Sequence, residues 1–463
     1  MKKNAIYDQR AISIIVFSLF SAWLLSFVYE GQIFYSLLDS YQLNPGRLML
    51  FAILAHAAGL FICGYIVRDM TTAKKVMMVA AGLCIAGSGV FFFAPSVLWT
   101  VCLITMALLA GMWNAAWGWF LRGCSMQNQR MGTVAASIAV GTALMIGLNM
   151  AAIYIQPQFG LTLAMLCLAG AFVFAWRLPQ TALDVSAGSK PKTYISIRGP
   201  LALLCLFIVV MTINSGLMFS VVNPAFAHLT TLTSWYWAVP YIAALAVFAQ
   251  LPRKVKRSYI LYAAIAMQGF GFIAFLLLDR SAGSYLAVNT LLLGAFGVND
   301  LFWWSILGEM LDLHKNPAKL LGLGLSVNVA GVLLGELVSS LLSSGTNGNA
   351  PTLTGLAVVC AALVILPVLY NRLTLLLKSS SFLTEVAEMP PAEQVRAIET
   401  VLHTVGLTER ENQIAALLLK GYTYRLITQE LFISESTVRT HIQNIYFKLG
   451  IHNKTELIQR LSK

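Results

Sequence analysis

The sequence predicts an all-α protein in two parts: a polytopic bundle of twelve membrane-spanning helices in two six-helix halves, then a small C-terminal four-helix domain of helix-turn-helix type. Three observations carry this reading. The 463 residues are 58% hydrophobic and only 11% charged, with a mean hydropathy of +0.75, which leaves too little polar surface for an ordinary soluble globule. Apolar runs that can cross a bilayer core, a task needing about 20 helical residues, recur through residues 1–377. From residue 407 the apolar positions take up amphipathic helical spacing, with turn residues between them.

The apolar runs fall at about 11–29, 47–67, 76–94, 98–120, 132–155, 159–176, 200–222, 232–251, 258–278, 284–308, 319–342 and 352–376. Lys2 and Lys3 precede the first, but no small-residue cleavage site follows Tyr29, so it reads as an uncleaved span. Orientation follows from the loop arginines and lysines. With the N-terminus inside, nineteen basic residues from Lys2 to Arg372 fall on the cytoplasmic side, against Arg47 and Arg280 outside. Both termini are therefore expected in the cytoplasm. The net charge of +12 is mostly topological: residues 1–377 hold 21 Lys/Arg against 10 Asp/Glu, 378–406 hold 2 against 4, and 407–463 hold 8 against 5. The seven cysteines are scattered in apolar segments without CxxC spacing and read as small buried hydrophobes.

Ionisable groups inside spans are costly and tend to face a bundle interior or an aqueous cavity. Asp300 in span ten and Glu336 in span eleven are the leading candidates for binding a small molecule, with Glu30 at the outer end of span one and His56 in span two. Asn299, Asn114 and Trp117 extend the set, beside Asn149, Asn214 and Asn328. The competing reading for the asparagines is interhelical hydrogen-bond glue, worth under about 1 kcal/mol per contact, and for the tryptophans, anchoring at the lipid interface. The chain carries no Walker A loop, no HExxH, no metal-spaced His/Cys cluster and no nucleophile elbow. The expectation is thus no enzyme, no catalytic residue, no metal and no cofactor.

The longest inside loop, about Arg177 to Gly199, separates six spans from six. Asn114, Trp119 and Gly123 match Asn299, Trp304 and Gly308 at an offset of 185 residues, a faint internal repeat. The loop after span two holds Gly64, Arg68, Asp69, Lys74 and Lys75. With these features the membrane part resembles the major facilitator superfamily. The order of Arg68 and Asp69 is swapped relative to that superfamily's loop pattern and its second glycine is missing, so the resemblance implies a shared fold ahead of preserved transport.

Residues 378–406 change character, with Ser379 to Ser381, Pro390, Pro391 and four glutamates, and read as a cytoplasmic linker with a short amphipathic helix over about 392–404. As a 29-residue coil it would span roughly 30 Å.

In residues 407–463, Thr408 and Glu411 form a capping box ahead of the apolar Ile414, Leu417 and Leu418, and Gly421 ends that helix. Thr423 can cap a second helix containing Leu426, Ile427 and Leu431. Ser434 can cap a third, whose Val438, Ile442, Ile445 and Leu449 form one stripe while Arg439, Thr440, Gln443 and Lys448 lie off it. Asn453 to Glu456 starts a fourth. A short helix, a tight turn and a second helix with a free polar face is the geometry that enters a DNA major groove.

Leu407, Thr408, Arg410, Glu411, Gly421, Leu431, Ile433, Ser434, Thr437, Val438, His441, Ile445, Lys448, Leu449, Gly450, Glu456 and Leu457 resemble the C-terminal domain of LuxR-type regulators over its whole length. Gln413, Leu426 and Thr428 depart from the family pattern without touching the recognition face. The resemblance implies that Arg439, Thr440 and Gln443 read bases. It also implies that Thr423, Arg425, Thr437 and Lys454 hold phosphates, and that two copies pair on a near-palindromic double-stranded site. Joined to the bundle, it points to a one-component transcriptional regulator of the bacterial inner membrane that senses a small molecule, with a secondary transporter whose tail reports occupancy as the alternative.

Overall fold

The computed structural model describes residues 2–29, 31–44, 48–181, 197–251, 257–343, 348–388, 406–419, 422, 424–452 and 456–457. Every regular element among them is helical. Twelve helical segments are long and apolar enough to cross a membrane: Asp8–Ser40, Leu48–Ile66, Met70–Phe92, Val97–Cys124, Gln127–Tyr154, Pro157–Trp176, Arg198–Ala225, Thr230–Gln250, Ser258–Leu277, Ala282–Leu313, Pro317–Leu342 and Ala350–Leu377. They are numbered here as spans one to twelve, and each overlaps its predicted run. Phe61, Leu83, Leu166, Val247 and Val364 point outward. Water would penalise so much exposed apolar surface, whereas hydrocarbon does not.

Packing between the spans follows a repeat. Span two packs on span four and span one on spans five and six, while spans eight and nine both pack on span ten. Between the halves, span two meets span eleven and span five meets span eight. Adding six to each number exchanges these two contacts, as a twofold relation between six-helix repeats requires.

At one end of the bundle the halves approach through small residues. Gly322 of span eleven lies against the Leu60 carbonyl of span two, where a Cβ would collide with backbone.

Span twelve belongs to a longer helix, Ala350–Glu388. It continues twelve residues beyond the predicted end at 376, into the stretch read as coil. Once a helix is nucleated, each further residue adds a hydrogen bond at little cost, and Leu383, Glu385, Ala387 and Glu388 are good helix formers. The amphipathic segment expected over 392–404 lies outside the described residues.

The C-terminal unit has helices Glu409–Leu419, Tyr424–Leu431 and Glu435–Leu449. The expected stripe of Val438, Ile442, Ile445 and Leu449 is buried, and it packs with Ile414, Ala415, Leu418, Ile427, Ile451 and Leu457. Of the expected fourth helix, Glu456 and Leu457 are described, and both are helical.

Candidate DNA interface and ligand site

The C-terminal domain is built on local hydrogen bonds that the sequence announces. The Thr408 amide donates to Glu411 Oε2 at 2.8 Å, and the Glu411 amide donates to Thr408 Oγ1 at 3.4 Å, completing the capping box. Ser434 Oγ accepts from the Thr437 amide at 3.1 Å, starting the third helix, which ends at Gly450 in the left-handed region. Arg410 ties the first helix to the second through the Leu431 carbonyl at 2.8 Å, and its other nitrogen reaches Gln413 Oε1, also at 2.8 Å. The family departure at Gln413 is therefore absorbed by a hydrogen bond.

Glu411 is almost fully buried, and Lys448 Nζ reaches its Oε2 at 2.7 Å. Burial alone would raise the Glu411 carboxyl, but Lys448 and Thr408 outweigh it and hold the group below its ordinary value. Lys448, which lies off the buried stripe in sequence, thus braces the third helix against the first.

The face left free on the third helix carries Arg439, Thr440 and Gln443, all exposed. Arg439 is held ready by Glu435, with Nη2 to Oε1 at 2.6 Å, and lies over the Tyr424 ring at 5.5 Å. Thr440 Oγ1 donates to the Ser436 carbonyl at 3.1 Å. Arg425 and Thr437 are exposed as well. Thr423 and Lys454 lie outside the described residues.

In the bundle, Asp300 is half-buried, and both its oxygens accept neutral donors: Tyr241 Oη at 2.8 Å and Trp303 Nε1 at 3.2 Å. Tyr241 reaches it because Gly297, one turn earlier on span ten, has no Cβ to collide with the Tyr241 carbonyl, so span eight lies close. Sequence reasoning passed over Tyr241, and the signal available was weak: a hydroxyl-bearing ring in an otherwise apolar run.

From Trp303 an aromatic series crosses into the other half. Trp303 stacks on Trp304 at 5.3 Å, and Trp304 meets Phe17 at 5.9 Å and Trp117 at 6.3 Å. Trp117 is fully buried, with Nε1 donating to Ser13 Oγ at 3.0 Å, so its position is a packing position and not a lipid-interface one.

Asn299 is buried with neither side-chain amide atom partnered among the described residues, and Asn114 has its Oδ1 unpartnered. Asn214 is likewise without partners on either atom. These are not the bonded contacts that interhelical glue requires. Glu336 is half-buried where span eleven crosses span seven beside Gly216. No hydrogen bond or ion pair among the described residues joins it to Asp300. Glu30 lies outside the described residues.

At the close end of the bundle, side chains of one half hold backbone of the other. Arg130, nearly buried, grips Asp312 with two nitrogens at 2.7 and 2.9 Å and donates to the Gly308 carbonyl at 2.9 Å. Arg122 reaches the His314 carbonyl at 3.2 Å, and Asn316 Nδ2 reaches the carbonyls of Gly64 at 2.8 Å and Val67 at 2.7 Å. In the loop after span two, Asp69 caps the next helix through the Thr72 amide at 2.7 Å. The Asp69 carboxyl is held below its ordinary value, chiefly by those Thr72 bonds. Lys74 closes the end of span six through the Trp176 and Leu178 carbonyls, both at 2.6 Å.

A twelve-span helical bundle carrying an exposed helix-turn-helix face describes a polytopic membrane protein joined to a DNA-binding domain. Residues 405–461 match the family "Bacterial regulatory proteins, luxR family". The HTH-type transcriptional regulator MalT of Yersinia pestis (strain Pestoides F) is 35% identical over 66 residues, 14% of this chain and 7% of that protein. MalT of Serratia proteamaculans (strain 568) is 36% identical over 63 residues, with the same coverage. The chain thus spans about 7% of the length of these curated relatives.

The membrane part has the major facilitator fold. The human organic anion transporter MFSD10 superposes with a TM-score of 0.60 at 11% identity, covering 79% of this chain and 99% of that one. The proton:xylose symporter XylE, of the major facilitator superfamily, gives 0.60 at 10% identity, covering 80% and 96%. A bacterial homologue of the iron transporter ferroportin, outward-facing, gives 0.58 at 17% identity, covering 79% and 99%.

Proposed function

We propose that this protein is a membrane-embedded one-component transcription regulator: a small molecule bound between the halves of the bundle shifts their arrangement and so controls how the C-terminal domain engages DNA. The observation that carries the reading is the covalent union of a luxR-type domain, its recognition face uncovered, with a bundle in which several inner polar groups, Asn299 and Asn214 among them, have no partner among the described residues. Neither framework is typically that of an enzyme.

Arg439, Thr440 and Gln443 are the base-reading positions, where arginine suits guanine and glutamine suits adenine. Thr423, Arg425, Thr437 and Lys454 hold phosphates. Residues 407–463 carry 8 Lys/Arg against 5 Asp/Glu, so one copy binds DNA weakly and with a shallow salt slope. Pairing of two copies on a near-palindromic site is then the controlled step. The apolar spans and the luxR-type domain support a bacterial inner-membrane protein, and the loop charges support cytoplasmic termini. Asp300, Glu336, Asn299, Asn114, Trp117 and Glu30 are the ligand-binding candidates. A ligand can move the equilibrium only by its difference in affinity for the two arrangements.

The test is footprinting of the full chain on DNA next to its own gene, with and without extracts of the natural environment. Protection that responds to an extract in wild type and not in an inserted Asp300→Asn variant is expected. An identical footprint under all conditions would leave only a constitutive anchor. The fold likeness to transporters favours a second reading, a working secondary transporter whose tail reports occupancy. Saturable counterflow in proteoliposomes, abolished by Asp300→Asn, would establish it; binding without flux supports the sensor.

A further inference from the structure

Span ten is the most enclosed of the twelve, with 83% of its apolar window buried, yet Asp300 keeps accessible surface, and so does Tyr241 opposite it. Asp300 is thus enclosed by span ten and its neighbours without being wholly sealed from the surface. Its two hydrogen bonds come from neutral donors, which support a negative charge without cancelling it. No Lys, Arg or His lies within ion-pair distance of Asp300 among the described residues. Residues 11–29, 230–250 and 282–313, which supply the surrounding rings, contain none of the three. An uncompensated carboxylate in a low-dielectric interior is relieved by a proton or by a positive partner, and a bound cation is the answer that keeps the charge. Tyr241 and Trp303 touch Asp300 through their O–H and N–H, and the ring series runs on from Trp303 to Trp304 and, across the halves, to Phe17. Ring faces attract cations, and the attraction grows on desolvation.

We propose that this site takes an organic cation, a protonated or quaternary amine on an aromatic or apolar body, with its charge on Asp300 and its body against the Trp303, Trp304 and Phe17 rings. The proposal deepens the sensor reading and rests on it for the role of the ligand. An anion would be repelled by Asp300, and a neutral ligand would leave its charge unanswered. Because the rings belong to both halves, a cation seated here touches both at once.

Full-length protein in nanodiscs, probed by calorimetry with three molecules sharing one aryl group, tests this: phenethyltrimethylammonium, 2-phenylethanol and 3-phenylpropionate. The ammonium is expected to bind at least about tenfold tighter than the other two, and Asp300→Asn to weaken it by at least about tenfold while Asp300→Glu retains most of the affinity. Trp304→Leu, which leaves the carboxylate in place, should weaken the ammonium about threefold or more and serves if Asp300→Asn loses its native elution profile. Equal or tighter binding of phenylethanol or phenylpropionate, unchanged affinity in both variants, or no ammonium binding at millimolar concentration overturns the proposal. The same samples, footprinted on DNA, separate the two ideas. Asp300-dependent ammonium binding with an unchanged footprint keeps the site and sinks the sensor reading, whereas a footprint that responds to phenylpropionate keeps the sensor and sinks the cation.

Discussion

The bundle and the C-terminal domain differ in how many buried polar groups they leave unpaired: among the described residues the domain leaves Asn412 Oδ1, the bundle many more. In the domain, the buried Glu411 is answered by Lys448 and by the Thr408 amide, and the described helix starts are capped by Thr408 and Ser434. In the bundle, among the described residues, Asn299 and Asn214 have no partner on either amide atom, and Asp300 has only neutral donors. An unpaired buried polar group costs about 1–3 kcal/mol, so a fold that keeps several unpaired sacrifices stability there. The domain uses its polar groups to hold one shape, while the bundle holds some in reserve for a guest. An exception inside the bundle is its close end, where Arg130, Arg122 and Asn316 clasp the two halves and, of the Arg130 nitrogens, only Nε lacks a partner among the described residues.

The sharpest way to break this contrast is at the clasp. Asp312→Ala leaves the nearly buried Arg130 without its counter-ion, and because Asp312 is itself 43% exposed the loss is screened to about 2 kcal/mol. The halves should then part more readily at that end, and alkylation of the buried Cys124 in membranes, followed by mass spectrometry, should speed up. An unchanged rate would mean the pair does not hold the halves together.

Glu411→Gln, in the domain, should cost about 2 kcal/mol through weakened charge-assisted hydrogen bonds, seen as faster proteolysis of the C-terminal domain in the full chain. The acid response sharpens the same point. A carboxyl held below its ordinary value adds stability above about pH 4.3 and loses it as the pH falls through the folded value. Wild type should therefore become protease-sensitive on acidification below that range, and Glu411→Gln should show a flatter pH dependence.

Smaller effects belong to the surface. Arg439→Ala should cost about 1–2 kcal/mol of discrimination at one base position, measured by competition between operator variants, with little change on random DNA. Arg425→Ala should weaken binding by a few fold on every sequence and reduce the salt slope by about 1. A sequence-dependent loss at Arg425 would move it from phosphate contact to base reading.

Much of this architecture is legible in the order of residues. Twelve apolar runs correspond to twelve spans because spanning length and hydropathy are properties of contiguous residues. The capping box at Thr408 and Glu411, the cap at Ser434 and the stripe from Val438 to Leu449 are equally readable, since each lies within one or a few helical turns. Span twelve runs past its expected end because helix propagation, unlike hydropathy, does not stop at the membrane surface.

What the sequence alone determined was therefore local or additive: membrane class, number of spans, a charge bias, and a helix-turn-helix domain with a free polar face. Only the tertiary structure decided which polar groups meet. Tyr241 and Asp300 are 59 residues apart, Arg130 and Asp312 are 182 apart, and Glu411 and Lys448 are 37 apart. No periodicity joins such positions. Their pairing is set by how closely helices approach, at glycines such as Gly297, and approach is a property of two surfaces at once.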